Sequence, residues 1–252
     1  MKKAIIAASF GTTYAHGLEK SISAVEELLR REFCGYEIRR AFTSGMVIAA
    51  LKKRGEMIDS VDEALEKLAV QGFSEVIIQP THIISGFEYD KVLAAAKEYK
   101  DRFKSLKVGA PLLDSDDDIE RICDFFEKKF GGDNAIALMG HGTEHSANSL
   151  YSRLAEKCSR KGYNSIYVGT VEGTPVIDDI IPQIKAGGFK KVIVTPLMFV
   201  AGDHANNDMA GDEPESWKSR LEKVGFEVVP VIKGLGEYPE IQSMYAQHIK
   251  NI

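Results

Sequence analysis

Gly72-Phe73-Ser74-Glu75-Val76-Ile77-Ile78-Gln79-Pro80 returns 116 residues later as Gly188-Phe189-Lys190-Lys191-Val192-Ile193-Val194-Thr195-Pro196. Each copy is a glycine turn followed by a short β-branched run that stops at proline, which is the pattern of a fully buried strand. The likeness continues to Gly86 and Gly202. A second pair, Ala4-Ile5 through Phe10-Gly11-Thr12 and Ala135-Ile136 through His141-Gly142-Thr143, is separated by 131 residues. Two copies of one unit explain both pairs. The 15-residue difference in separation means that the first copy carries extra residues, which the pattern places in a helical stretch around 46–54.

Outward from these landmarks, apolar runs of strand length alternate with amphipathic runs of helix length along the whole chain. That is the βαβα rhythm of a parallel sheet covered on both faces, so the fold class is α/β. Strands are expected near 3–9, 36–42, 75–80, 106–110, 134–139, 165–170, 191–196 and 227–231. Helices are expected over 18–32, 89–103, 119–130, 146–161, 175–186, 215–224 and 239–250. Eight strands divide into two similar Rossmann-like, flavodoxin-like domains, each with a four-stranded parallel sheet. Gly131-Gly132 marks the boundary, giving domains 1–130 and 131–252, with the packing of the last helix left open. Ligands of open α/β sheets bind beyond the carboxyl ends of the strands, so a central cleft is expected where two such domains face each other.

The composition narrows the function. The 252 residues are 44% hydrophobic and 27% charged, and acids exceed bases to give a net charge of −5. No stretch reaches the roughly 20 apolar residues of a membrane span, and the polar residues that follow Phe10 do not fit a signal peptide. No membrane association and a cytoplasmic location are therefore expected. The acidic balance argues against a nucleic-acid surface, which needs clustered Lys and Arg. Cys34, Cys123 and Cys158 are widely spaced and form no CxxC pair, so the expectation is three reduced, semi-buried thiols. The acidic run Asp114-Ser115-Asp116-Asp117-Asp118 stands before a helical pattern and reads as a cap.

The repeat makes the strand ends comparable. Ser9-Phe10-Gly11-Thr12 corresponds to Gly140-His141-Gly142-Thr143, Ser44-Gly45 to Glu172-Gly173, and Ser85-Gly86-Phe87-Glu88 to Ala201-Gly202-Asp203-His204. The second half thus offers His141, Glu172 and His204 from three successive strand ends, and the first offers Glu88 where the second has His204. Two imidazoles and a carboxylate converging from three loops suit a divalent transition ion with open coordination positions. His145 reads as a cleft-lining or helix-capping residue, because the glycines around His141 keep the two histidines off one helix. Asp203 and Asp208 read as bonding local N–H groups in a polar loop.

At these residues the sequence resembles the anaerobic, early-insertion cobalt chelatases of the CbiK family, which place cobalt in sirohydrochlorin for cobalamin synthesis. The ordered markers are Ala8-Ser9-Phe10-Gly11-Thr12, Arg40-Ala41-Phe42-Thr43-Ser44-Gly45-Met46, His82-Ile83-Ile84 with Glu88-Tyr89, Met139-Gly140-His141-Gly142, Val171-Glu172, Pro196-Leu197-Met198 with Val200-Ala201-Gly202-Asp203-His204, and Gly234-Leu235-Gly236-Glu237. The resemblance covers essentially the whole chain. It implies the chelatase fold, an ATP-independent reaction, Co²⁺ as the metal, sirohydrochlorin or a related tetrapyrrole as partner, and a homo-oligomer. It assigns metal binding to His141, Glu172 and His204, the same three that the strand ends select, and puts Glu88 in the cleft.

The resulting expectation gives His141 and Glu88 catalytic roles as proton acceptors. Ser9, Phe10, Gly11, Thr12, Ser44, Met46, His82, Met198 and Ala201 are the expected substrate contacts. Neither a Walker lysine motif nor a complete GxGxxG is present, so no nucleotide is expected. Three rivals share parts of this reading: a nickel or iron chelatase, a non-catalytic metal or haem carrier using the same cleft, and a flavodoxin-like phosphate binder. Imidazole and carboxylate ligands do not by themselves choose among the metals.

Overall fold

The computed structural model describes residues 1–252. Its eight strands are β1 (Lys2–Ser9), β2 (Glu37–Phe42), β3 (Phe73–Pro80), β4 (Ser105–Val108), β5 (Asn134–Gly140), β6 (Ile166–Thr170), β7 (Lys191–Pro196) and β8 (Glu227–Pro230). They form two parallel four-stranded sheets of the same order, β2-β1-β3-β4 and β6-β5-β7-β8. The central strands are buried along nearly their full length, as a parallel sheet with both faces covered requires. In each sheet the chain leaves the first strand toward one edge and returns to the other side of it, so the topological switch point lies between β1 and β3 and between β5 and β7.

The helices are α1 (Ala15–Gly17), α2 (Ala24–Glu32), α3 (Gly45–Lys53), α4 (Val61–Val70), α5 (Phe87–Tyr99), α6 (Asp116–Phe130), α7 (Ser149–Arg160), α8 (Ile177–Ala186), α9 (Trp217–Lys223) and α10 (Pro239–Lys250). None is long and apolar enough to cross a membrane. A π turn, Leu18–Ser23, joins α1 to α2. The helix around 46–54 is α3, and it is indeed the extra element of the first copy. The sequence pattern omitted α4, which occupies the place of α8 and starts with a Ser60/Glu63 capping box.

The chain forms two compact units, Met1–Leu112 with Gly236–Ile252, and Leu113–Leu235. The expected division at 130 is therefore displaced. Helix α6 follows β4 in sequence yet packs on α7 in the second unit, and α10 follows β8 yet packs on α2 and β3 in the first. Side chains explain both assignments. Tyr245 of α10 is fully buried and donates to the Thr81 carbonyl at 2.9 Å, and Ile241, Met244 and Ile249 are buried with it. On α6, Asp116 and Glu120 pair with Arg153 and Lys157 of α7, and Asp124 with Lys161 at its C-cap.

The expected three reduced thiols are corrected at the same contact. Cys123 of α6 and Cys158 of α7 are buried and joined in a disulfide, with Cα atoms 5.3 Å apart, whereas Cys34 is free and exposed. Nothing in the spacing of 35 residues reveals this pairing; it follows from the two helices lying side by side. The acidic run does cap α6, where Ser115 and Asp118 form a reciprocal capping box.

Candidate metal centre

The backbone at the strand ends is the same in both units. In the first, Thr43 and Ser44 N–H groups donate to the carbonyls of Ser9 and Phe10; in the second, Val171 and Glu172 donate to those of Gly140 and His141. Leu112 donates to His82 O, and Leu235 to Met198 O. These matching bonds align Phe10 with His141, Ser44 with Glu172 and His82 with Met198, as the repeat in the sequence requires.

His141 leaves β5 at a turn in which Gly142 has φ +86°. A Cβ on Gly142 would stand 2.3 Å from Gly173 N, so this glycine is what allows the His141 loop to press against the Glu172 loop. Asn148 ties the two loops together: its Oδ1 accepts from Thr143 N at 3.1 Å and its Nδ2 donates to Thr174 O at 2.7 Å. Sequence reasoning missed Asn148, because an asparagine at the start of a helical pattern reads as an ordinary cap. Tyr151, buried beneath the turn with its phenol pushed upward in pKa by burial, reaches Gly142 N with its hydroxyl.

The structure brings His141, Glu172 and His204 together. One ligand atom from each lies within 4.8 Å of the others, and the two imidazole rings meet edge to face with centroids 4.8 Å apart. His141 Nδ1 is 2.9 Å from Gly142 O and 3.7 Å from a Glu172 oxygen. A carbonyl only accepts, so that nitrogen carries the proton and Nε2 presents the lone pair. His204 Nδ1 is 2.6 Å from Asp208 Oδ2. His141 and Glu172 are exposed and His204 half-buried, so a metal here would retain access to solvent and to a second ligand. Three ligands of this type leave open positions on a divalent transition ion.

His145 stands outside this group. Its Nδ1 accepts from Ala147 N at 3.1 Å and caps the short 3₁₀ turn Ser146–Asn148.

In the first unit the equivalent positions carry different chemistry. Phe10 is 44% exposed where His141 stands in the second unit. Ser44 is buried and caps α3, accepting from Val47 N, so the side chain at Glu172's place serves the inserted helix. His82 Nε2 lies 3.2 Å from Thr43 Oγ1, while its Nδ1 and Glu88 Oε2 are buried without hydrogen-bond partners. Burial lowers the His82 imidazole from 6.5 to about 4, against the opposing pull of the Glu88 carboxylate, so it is neutral at pH 7. Glu88 pairs with Lys91 through its other oxygen.

The side chains at several expected substrate contacts are engaged within the protein. Ser9 accepts from the Thr81 hydroxyl, Thr12 accepts from Tyr14 N, and both are buried, as is Ser44. Ala201 is buried in the core of the second unit. Their side chains face inward and shape the loops. Phe10, Met46 and Phe87 instead expose large apolar surface at the strand ends of the first unit, Met46 at 81%. Met198, opposite number of His82, is half-buried.

Two parallel α/β units of this design define a known class. The chain is similar in structure to SirB from Bacillus subtilis, solved with Fe³⁺, with a TM-score of 0.68 and 11% identity over 100% of this chain and 95% of that one. In sequence, it is 39% identical to a sirohydrochlorin cobaltochelatase of Salmonella typhimurium, over 99% of this chain and 96% of that protein. It is 37% identical to sirohydrochlorin cobaltochelatase CbiKC of Nitratidesulfovibrio vulgaris, over 98% and 89% of the two chains. The model of the cobalt chelatase (CbiK) family matches residues 3–252, and the chain belongs to that family.

Proposed function

We propose that this protein is an ATP-independent sirohydrochlorin cobaltochelatase that inserts Co²⁺ into the macrocycle in anaerobic cobalamin biosynthesis. The observation that carries the proposal is the His141–Glu172–His204 cluster, within 4.8 Å, in a chain that matches full-length relatives named for that activity.

Insertion exchanges two pyrrole N–H protons for one dication, so the macrocycle's charge is unchanged and two protons leave. Co²⁺, a substrate here, is held by His141 Nε2, a Glu172 oxygen and His204 Nε2, with water on its remaining positions. Transfer frees the imidazoles one at a time, and a freed neutral imidazole, with a reference pKa of about 6.5, accepts a pyrrole proton. Glu88 is the second proton acceptor in this scheme. Support comes from its unpartnered buried oxygen and its place at the position equivalent to His204. The exposed faces of Phe10, Met46 and Phe87 provide apolar surface for the macrocycle, and the turn N–H groups after β1 and β2 favour its carboxylates.

An anaerobic absorbance time course tests this directly, with catalytic protein, excess sirohydrochlorin and equal free Co²⁺, Ni²⁺ or Fe²⁺ against protein-free controls. Multiple turnovers, fastest with Co²⁺, are expected. Preference for Ni²⁺ or Fe²⁺ would change the metal, a change ending at one equivalent of protein would indicate a carrier, and no change with any metal would remove the activity.

A further inference from the structure

Asp208 lies outside the ligand cluster and is absent from the roles assigned above, yet its carboxylate makes one of the shortest contacts near the cluster, 2.6 Å to His204 Nδ1. The sequence reading gave it only a local N–H to bind. The segment after His204 is instead a π turn, Ala205–Met209, in which residues four apart come onto one side. Ala205 and Met209, which open and close the turn, are fully buried in the core of the second unit. Further bonds fix the same turn: Asn206 Nδ2 donates to Gly202 O at 2.7 Å, Asn207 Nδ2 to Asp203 Oδ1 at 2.9 Å, and Gly211 N to Asn207 O at 3.1 Å. The Asp208 backbone is thus anchored from both sides of the turn, with its carboxylate on the His204 imidazole.

We infer that Asp208 is the positioning residue of the metal centre: it holds His204 in the Nδ1–H tautomer and turns Nε2 toward Co²⁺. This rests on the reading of His141, Glu172 and His204 as the metal ligands. Asp208 is hydrogen-bonded at Nδ1, on the side of the ring away from Nε2, so it acts on a metal at Nε2 only through the ring. An ionised carboxylate accepts and does not donate, which fixes the proton on Nδ1. It also raises the basicity of the nitrogen that binds metal, and removing such outer partners costs roughly 10–100-fold in metal affinity or activity.

The two imidazoles are consequently unequal. His204 Nδ1 is hydrogen-bonded to a carboxylate at 2.6 Å, whereas His141 Nδ1 is hydrogen-bonded to the Gly142 carbonyl at 2.9 Å and stands 3.7 Å from a Glu172 oxygen.

The test uses the whole protein and two readouts on each sample. Long-range ¹H–¹⁵N NMR of the imidazoles reports the His204 tautomer without metal, and calorimetry reports the Co²⁺ Kd. In the wild type His204 is expected as the Nδ1–H tautomer. Asp208→Ala should release it to a mixture and raise the Co²⁺ Kd by about 10–100-fold, with the thermal melt unchanged. Asp208→Asn keeps an acceptor oxygen without the charge; it should restore the tautomer and part of the affinity, and it preserves the test should the alanine variant fold poorly. An unchanged tautomer in Asp208→Ala, or wild-type Co²⁺ affinity in both Asp208 variants while His204→Ala abolishes binding, would overturn the role of Asp208 and leave the metal site standing. Full Co²⁺ affinity in His204→Ala would overturn the metal site and this inference with it.

Discussion

The two units share a backbone and divide the chemistry. Both use the same strand order, the same cross-loop hydrogen bonds beyond the first and second strands, and a glycine at positive φ after the first strand, Gly11 and Gly142. On that common frame the first unit carries Phe10, Ser44 and Glu88 where the second carries His141, Glu172 and His204. The loop after the second strand separates them further. In the second unit it is a tight turn, closed by Thr170 N donating to Pro175 O, with Glu172 at its tip. In the first, the corresponding bond runs from Phe42 N to Asp59 O, and α3 is spliced into the interval. On the proposed assignment, three side chains and one loop length make the metal centre on a duplicated frame, while the other copy presents an apolar and acidic face.

The largest expected effect breaks the comparison at its ligands. His141→Ala or His204→Ala should weaken Co²⁺ binding by more than the roughly 100-fold upper range of outer-partner removal, whereas Phe10→Ala at the equivalent position should leave it unchanged. Calorimetric titration of the three variants decides this. Next come the paired glycines. Gly11→Ala would meet the buried Phe42 ring at 2.5 Å and Gly142→Ala the Gly173 backbone at 2.3 Å, both at positive φ. Each should cost about 2–4 kcal/mol in urea unfolding, but only Gly142→Ala should also weaken Co²⁺ binding.

A smaller effect concerns pH. The folded chain holds His82 at about 4 against 6.5 for the free group, so between those values the unfolded chain binds a proton that the folded one does not. Stability should therefore fall as pH drops from 6.5 to 4, by about 1–3 kcal/mol. In His82→Phe, urea midpoints measured at pH 7, 5.5 and 4 should show a flatter slope. The smallest effect is at the cap: Ser44→Ala should cost about 1 kcal/mol by removing the α3 N-cap, whereas Glu172→Ala at the equivalent place should spare stability and weaken metal binding.

Much of this was legible in the sequence because duplication makes a chain its own comparison. Buried parallel strands such as Val76-Ile77-Ile78 and Val192-Ile193-Val194 are continuous apolar runs, so their ends, and the residues that stand there, could be aligned without a partner sequence. What stayed hidden depended on contacts distant in sequence. The exchange of α6 and α10 between units moved the boundary, since a helix that follows a strand by a short loop gives no sign of which core its apolar face will meet. The Cys123–Cys158 bond follows from that same packing. Ser9, Thr12 and Ser44 stand at the strand ends, but a hydroxyl in sequence does not reveal whether its side chain faces outward or closes a turn. Asp208 was read as a local cap because the π turn that carries it to His204 has no periodicity signal in five residues.

Co²⁺-soaked crystals measured at the cobalt absorption edge test the central claim, that the second unit alone holds the metal. The account predicts one principal anomalous peak, within about 2.0–2.2 Å of His141 Nε2, a Glu172 oxygen and His204 Nε2. A principal peak at Glu88 and His82, with none among those three residues, would contradict it.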